Sequence, residues 1–549
     1  MMIKDLSAIS WEFSGGFSKD IAEKAVLSAE TEGVLIRTIP GKRDTWKVSL
    51  PEGVFYVRRV VNEGLFRSFL FGVSDRFFGD EIAISKALFE MGVNVSEVLA
   101  YGQVRSALGV RSAVTITREV AGARTLKDFY LSEFAKFSRK EKKEAINEFA
   151  GFFRRLHDKG VTHEDPHMGN ILVRRNGRAV PPFSKGQGSR CAKPLQREEG
   201  GIYEFFLLDV RDCRFKKKIS LAQRFLNLVL LNLNFISGIE DSLKFSFFRR
   251  YCEGLALAEK GGVKNAIDGI EDMTLLVAFE TWDKKAARCM GENNLFLASR
   301  FGGLLTRVKR PWEVKEGMDK ALSSPDIFLE GKDSRILKNG RTVKAGLVTL
   351  PSGEKLFLKR YNRKSFFHTL KNVFKTSRAR DVWRKSYAAE LRGLNVPRPV
   401  AYMEERSFGV LKRSYVVSEF IDGARLGSVI EAGRGGTRAE HGSGEFFRYL
   451  GKAIGEMHRL GFFHGDLKWS NILVKEGIRP VFYFTDIDGS RVEKRLALFR
   501  VEDDIQRFSR EMEKYGIPEA SKRAFCEGYD ARNRSVDAFK LCRHRSIKP

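Results

Sequence analysis

Two stretches of the chain place acidic and amide side chains at a spacing that suits phosphoryl transfer. His163-Glu164-Asp165-Pro166-His167-Met168-Gly169-Asn170 and His464-Gly465-Asp466-Leu467-Lys468-Trp469-Ser470-Asn471 both read His-x-Asp-x-x-x-x-Asn and run into short apolar segments. At this spacing one loop holds an Asp at an attacking hydroxyl and an Asn on a magnesium ion over the phosphates. An apolar strand ending in another Asp follows each copy, Phe205-Phe206-Leu207-Leu208-Asp209 and Phe482-Tyr483-Phe484-Thr485-Asp486, where the second metal ligand is needed. Asp165 and Asp466 are therefore the candidates for orienting the acceptor hydroxyl, and Asn170, Asp209, Asn471 and Asp486 the candidates for metal. Lys468, two residues after Asp466, is within reach of a transferring phosphate, and His167 takes that place in the first copy. His163 and His464 read as braces of the loop, His157 and His458 as packing residues of the helix before it.

The repetition is wider than the motif. An offset of 301 residues also joins Leu156-His157 to Met457-His458, Gly122-Ala123-Arg124 to Gly423-Ala424-Arg425 and Ala100-Tyr101 to Ala401-Tyr402. A constant offset over such a span marks a duplicated fold. Asp209 and Asp486 are only 277 apart, so the first copy carries 24 extra residues between loop and second Asp; beyond them, Tyr251-Cys252-Glu253-Gly254 aligns with Phe525-Cys526-Glu527-Gly528 at 274. The insertion, about 175–204, is basic and rich in Pro and Gly and reads as a mobile surface loop. A basic flap over the first acceptor site is its sharper alternative.

Strands must carry a cation to the phosphates above these loops. Residues 33–62 alternate as strands, and Lys355-Leu356-Phe357-Leu358-Lys359-Arg360-Tyr361 repeats the pattern, with Leu356 and Leu358 on one face and Lys359 on the other. Lys359 is thus the nucleotide-facing cation of the second copy, and Arg58, bulkier and forked, that of the first. Glu81, on the helix that follows, is the natural partner of Arg58. In the second copy Trp383 and Glu390 lie near the corresponding place without a clean match. Neither copy has a Gly-x-Gly-x-x-Gly loop; Gly41-Lys42-Arg43 and Asn339-Gly340-Arg341 stand there instead. Residues 255–330 read as helical and basic, with a boundary between Pro311-Trp312 and Pro325-Asp326, and Gly433 to Gly444 reads as a loop.

Composition narrows the setting. The chain has 549 residues and a net charge of +28, which points to an anionic partner (nucleic acid, a phosphorylated substrate or an anionic membrane face) or else to a solvated basic surface. Six scattered cysteines without metal spacing imply reduced thiols in a cytoplasmic protein. The N-terminus lacks an apolar signal segment, which argues against secretion. The longest apolar run, Phe225 to Ile239, is broken by three asparagines and suits a buried helix better than a membrane span. Protein kinases need a long segment after the metal Asp to dock a peptide. Here Asp209 runs at once into Lys216-Lys217-Lys218 and Asp486 into the basic stretch Val492 to Arg500, which favours a small hydroxyl acceptor.

At these residues the chain resembles the bacterial lipopolysaccharide-core kinases that phosphorylate Kdo or heptose. The likeness is carried by His464-Gly465-Asp466-Leu467-Lys468 with Asn471, Thr485-Asp486-Ile487-Asp488 and Leu358-Lys359-Arg360-Tyr361, and in the first copy by Arg58-Arg59, Glu81 and His163 to Asn170. It covers most of both halves, and its motifs are shared with aminoglycoside phosphotransferases and RIO-type kinases. The resemblance implies an α+β chain of two tandem protein-kinase-like bilobal domains, which we place at 1–320 and 321–549. It also implies ATP and Mg2+ as cofactors, a lipopolysaccharide-core or other anionic glycan as acceptor, and a peripheral position at the cytoplasmic face of the inner membrane rather than on nucleic acid. The competing readings are a kinase-like scaffold that binds an anionic partner and, third, a protein kinase.

Overall fold

The structure is a computed structural model that describes residues 6–39, 43–61, 80–106, 109–176, 201–236, 239–255, 262–332, 334–362, 376–407, 410–434, 443–477, 479–533 and 538. The Gly41-Lys42 turn, the start of the segment leading to Glu81, residues 177–200 of the insertion, most of the Gly433 to Gly444 loop, Cys191 and Cys542 lie outside these residues. The other four cysteines are buried free thiols. The chain forms two α+β units, Met1–Leu275 and Leu276–Pro549.

This division falls inside helix Gly262–Ala287, well before the expected boundary at 320/321. The reason is a hairpin where helix was expected. Phe296–Phe301 and Leu304–Lys309 are strands, with alternating Leu304, Thr306 and Val308 buried, and the second of them pairs with Pro399–Ser407. The segment is thereby part of the second unit's sheet.

In the first unit, six antiparallel strands run in the order Ile9–Phe13, Val98–Ser106, Gly109–Arg118, Gly53–Val61, Arg43–Leu50, Val34–Ile39. Alternation in Gly53–Val61 buries Phe55 and Val57 against Ala22, Ala25 and Val26 of helix Lys19–Thr31, so Arg58 points to the opposite face. Below lies a helical lobe whose central helix, Arg139–Asp158, starts at a Ser138/Glu141 capping box and buries Phe149, Phe152 and Phe153 at its core. Each such ring contributes about 2–3 kcal/mol by leaving water. The first part of the long apolar run, Phe225 to Asn232, lies in helix Leu221–Asn232, capped by Ser220 and Gln223, and a 3-10 turn, Leu233–Phe235, follows. No helix among the described residues is long and apolar enough to cross a membrane.

The second unit repeats this plan with seven strands, Phe296–Phe301, Leu304–Lys309, Pro399–Ser407, Val410–Glu419, Lys355–Tyr361, Val343–Thr349 and Ser334–Asn339. Leu356 and Leu358 are fully buried, leaving Lys359 on the other face as the alternation requires. In its helical lobe Gly444–Arg459 and Glu519–Asp530 touch backbone to backbone. A Cβ on Gly455 would sit 2.6 Å from the Tyr529 carbonyl, so glycine there lets the two helices meet. The contact corrects the sequence alignment of this helix. The residue that shares the role of Tyr251 is Tyr529, one helical turn beyond Phe525: Tyr251 hydroxyl bonds His157 Nδ1 at 2.5 Å and Tyr529 hydroxyl bonds His458 Nδ1 at 2.8 Å.

Candidate active site

Both catalytic-type loops are built from the same local bonds. His163 and His464 are fully buried; Nδ1 of each accepts from the amide of the following Asp, Asp165 at 3.1 Å and Asp466 at 3.3 Å. Their Nε2 atoms lie 3.2 Å and 3.0 Å from the carbonyls of Leu208 and Thr485, just before the second Asp. Each ring therefore ties its loop to the strand that ends in the metal-type carboxylate. Burial lowers both pKa values, and the neutral rings serve as braces, not proton carriers. Asp209 and Asp486 themselves are left-handed, at φ 51° and 55°, the only non-glycine residues with positive φ among those described. Such a conformation costs about 1–3 kcal/mol and recurs at functional sites.

In the second unit the groups converge. Lys359 Nζ bonds Asp486 Oδ1 at 2.7 Å and Asp488 Oδ1 at 2.9 Å. Asp488 also accepts from Tyr361 hydroxyl at 2.9 Å and Arg378 at 2.7 Å, while its carbonyl accepts from Lys385 at 3.0 Å. Asn471 donates its amide to both the Asp466 carbonyl (2.9 Å) and Asp466 Oδ2 (3.0 Å), which leaves its own oxygen as a ligand. Lys468 Nζ is 2.8 Å from Asp466 Oδ2 and Arg507 is 3.7 Å from Oδ1. Burial works to raise the Asp466 pKa, but the bond and charge of Lys468, the Asn471 bond and neighbouring His464 together hold the carboxyl below its usual range; at Asp486 burial is likewise offset by Lys359, Lys338 and His464 together. A cavity of about 430 Å³ opens here, lined among others by Ala345, Lys359, Val416, Leu473 and Asp486.

The first unit has the same skeleton with different charges. Arg58 sets one nitrogen on both Glu81 oxygens at 2.7 Å, as the sequence suggests, and also reaches Thr115 and Asp209 Oδ1, each at 3.3 Å. Arg211 Nε lies 3.3 Å from the same Asp209 oxygen. Asn170 donates to the Asp165 carbonyl at 3.1 Å, but the Asp165 carboxylate is 61% exposed, with His167 at 3.8 Å. His167 Nδ1 meanwhile accepts from the Gly169 amide.

Magnesium is held by one or two protein oxygens completed by phosphates and water, not by a closed cage. Among the described residues no three or more His, Cys, Asp or Glu side chains form such a cage. Asn471 and Asp486 fit the open requirement. Asp209, with two guanidiniums on one oxygen, does not.

A model of the lipopolysaccharide kinase (Kdo/WaaP) family matches residues 29–184 and 331–529, once in each unit. The chain belongs to this family. Its members' kinase-like phosphotransferase fold is thus present twice. Among solved structures, the chain is similar to WaaP in complex with acyl carrier protein, at 16% identity over 48% of this chain and 99% of that one, with a TM-score of 0.33. It is also similar to the amicoumacin kinase hAmiN in complex with AMP-PNP, Ca2+ and Ami, at 15% identity, 40% and 80% coverage and a TM-score of 0.28. No curated protein matches the chain.

Several residues of this lipopolysaccharide-kinase-family site escape a sequence reading. Fully buried Asp504 accepts from the amides of His464 (2.7 Å) and Gly465 (2.9 Å) and lies 3.2 Å from His458 Nε2. Asn227, at the matching 277 offset, bonds His157 Nε2 at 2.8 Å and donates to the His163 carbonyl at 2.5 Å. His157 and His458 thus do more than pack, since each belongs to a polar network that fixes the loop. The shared offset is the signal that could have found this pair. Neither second-copy candidate reaches Lys359: Trp383 is buried with its indole on the Cys289 carbonyl, and Glu390 pairs with Lys309 at 2.6 Å. The position matching Glu81 is Val382, and Asp488 supplies the carboxylate from the loop instead.

Proposed function

We propose that this protein is an ATP- and Mg2+-dependent kinase that phosphorylates a hydroxyl of a lipopolysaccharide-core sugar, Kdo or heptose, and that the second unit carries the transfer. The observation that carries this reading is the cleft in which Lys359 bridges Asp486 and Asp488 beside the Asp466, Lys468 and Asn471 loop. Asn471 and Asp486 would hold the magnesium ion, whose charge offsets that of the phosphates when it is bound. Lys359 supplies a compact, mobile cation to the phosphates. Asp466, held in place by Asn471, accepts a hydrogen bond from the acceptor hydroxyl and takes its proton as that oxygen bonds to the γ-phosphorus. The bond from phosphorus to the β,γ-bridging oxygen breaks, and ADP departs. Lys468 is placed to steady charge on the transferring group.

A small acceptor suits the short path from Asp486 to helix Leu498–Lys514, which holds only the turn Ile487–Gly489 and the two-residue strand Arg491–Val492. The same segment favours a peripheral place on an anionic bilayer. Lys494, Arg495, Leu498 and Phe499 are exposed, the last two by 56% and 64%. Lys217, Lys218 and Leu221 repeat the basic pair and leucine in the first unit at the 277 offset. Each such cation is worth about 1 kcal/mol near anionic lipid, and exposed leucine and phenylalanine suit acyl chains better than nucleic acid. The test is mass analysis of purified core oligosaccharide incubated with the full chain, ATP and Mg2+. One added phosphate, absent with Asp466→Asn, is expected; an unmodified oligosaccharide refutes the acceptor.

A further inference from the structure

The two loops reverse a charge at one matched position: Asp488 of the second unit corresponds to Arg211 of the first. In the second unit the loop therefore offers two carboxylates, Asp486 and Asp488, to Lys359, with Arg378 on the other oxygen of Asp488. In the first it offers Asp209, whose Oδ1 already meets Arg58 and Arg211 at 3.3 Å each. Arg58 cannot swing away cheaply, because Glu81, 2% exposed, and Thr115 hold its other nitrogen. Arg43 lies on the neighbouring strand, two residues before Thr45, the register partner of Arg58, and so on the same face; burial and then the Arg58 charge pull its pKa below the ordinary value, with Arg211 acting in the same direction. Arg211 contacts Asp209 and, at 3.8 Å, Asp212 through Nε, and its terminal nitrogens make no hydrogen bond to the described residues. A dication at Asp209 would sit beside two guanidiniums already on its Oδ1, Arg58 and Arg211, where Asp486 of the second unit meets one ammonium. A phosphate group meets the opposite situation, since guanidinium forks bind phosphate oxygens in pairs and never lose their charge.

We propose that the guanidinium cluster around Asp209 is a metal-independent site for a phosphate-bearing ligand, in which Arg58 and Arg211, with the added charge of Arg43, take the place of a metal ion and a lysine. The site does not depend on the acceptor assigned to the second unit, so either assignment can fail alone. The ligand is a nucleotide or a sugar phosphate, which share this chemistry.

The test uses the full chain carrying Asp486→Asn, which removes a metal ligand of the second cleft. ATP, glucose 6-phosphate and inorganic phosphate are titrated calorimetrically in EDTA. Binding of at least one is expected, weakened at least 10-fold when Arg211→Asp is added and not restored by Mg2+. Preference for ATP assigns a nucleotide; preference for glucose 6-phosphate assigns a sugar phosphate. Should Arg211→Asp disturb folding by circular dichroism, Arg211→Gln serves, with the same loss expected. Absence of binding in EDTA overturns the proposal. So does binding unchanged by the Arg211 substitution, or ATP binding that requires Mg2+ and is abolished by Asp209→Asn.

Discussion

Exchanging the buried anchors of the two loops tests whether each is tuned to its own backbone. Asp504 receives two backbone amides and lies beside His458, all without solvent. In Asp504→Asn one oxygen becomes an NH2 group. If the remaining oxygen keeps His464 and His458, the NH2 faces the Gly465 amide, donor against donor, and a buried amide loses its acceptor. An unsatisfied buried group costs about 1–3 kcal/mol, and the surviving bonds lose their charge assistance, worth about 1 kcal/mol more. The expected loss is about 3 kcal/mol for the second unit. The first unit tolerates asparagine because its equivalent amide, that of Glu164, bonds the Asp212 carbonyl at 2.8 Å instead, and Asn227 uses its NH2 on the His163 carbonyl. Asn227→Asp should therefore also destabilise, by setting a carboxylate against that carbonyl. Hydrogen exchange read by mass spectrometry separates the units. About 100-fold faster exchange is expected in peptides of Gly444–Arg459 for Asp504→Asn, and the converse in Arg139–Asp158 for Asn227→Asp. A change below about 0.5 kcal/mol in both would refute the argument, because buried donor mismatches cannot be that cheap.

Acid is expected to weaken the first unit. Burial lowers the His157 pKa from 6.5 to about 4, so between those values the unfolded chain binds the extra proton and stability falls as pH falls. The shift corresponds to roughly 3 kcal/mol; denaturation midpoints of wild type and His157→Gln from pH 7 to 4 should show a shallower slope in the variant, and equal slopes would exclude His157 as the cause. Asp466→Asn should slow transfer by about 10²- to 10⁴-fold while retaining Mg2+-dependent ATP binding, whereas Asp486→Asn should lose that binding; calorimetry and rate assays together distinguish the two, and a wild-type rate in Asp466→Asn rules out the assigned hydroxyl-orienting role. Co-sedimentation with vesicles containing phosphatidylglycerol should fall in Lys494→Glu/Arg495→Glu, with no binding to phosphatidylcholine alone; retention by both vesicle types would exclude this basic surface as the determinant.

What the sequence makes legible follows from how local each feature is. The two loops are contiguous motifs, the strand cations follow from alternation, and Glu81 sits on the helix after its strand, so all are visible in a single chain. The duplication adds register, which makes Arg58 and Lys359 equivalent before any coordinates. Hairpin Phe296–Lys309 is legible but missed: Gly302-Gly303, both at positive φ, form the two-residue turn between alternating runs, and pairing with Pro399–Ser407 confirms the strands. Asp504 and Asn227 lie in amphipathic helices whose buried faces also carry other polar residues, Ser509 in one and Arg224 and Asn232 in the other, so neither stands out. Their role depends on amides 40 and 64 residues away in the chain.

The pattern of charge between strand, helix and loop explains why a search for a helix glutamate finds only one copy. In each unit the strand cation is tied by two carboxylates: Arg58 by Glu81 and Asp209, Lys359 by Asp486 and Asp488. In the first unit the helix supplies the anion. In the second, Val382 replaces it, and helix Arg378–Leu391 instead supplies cations, Arg378 and Lys385, that grip Asp488 from the other side. The link between helix and loop survives with its polarity inverted. Loss of the helix glutamate therefore leaves Lys359 positioned, while Arg211 in the first unit changes the cleft although every residue of the loop motif is retained. Charge inventory across the three elements, more than presence of the motif, is what distinguishes the two proposed sites.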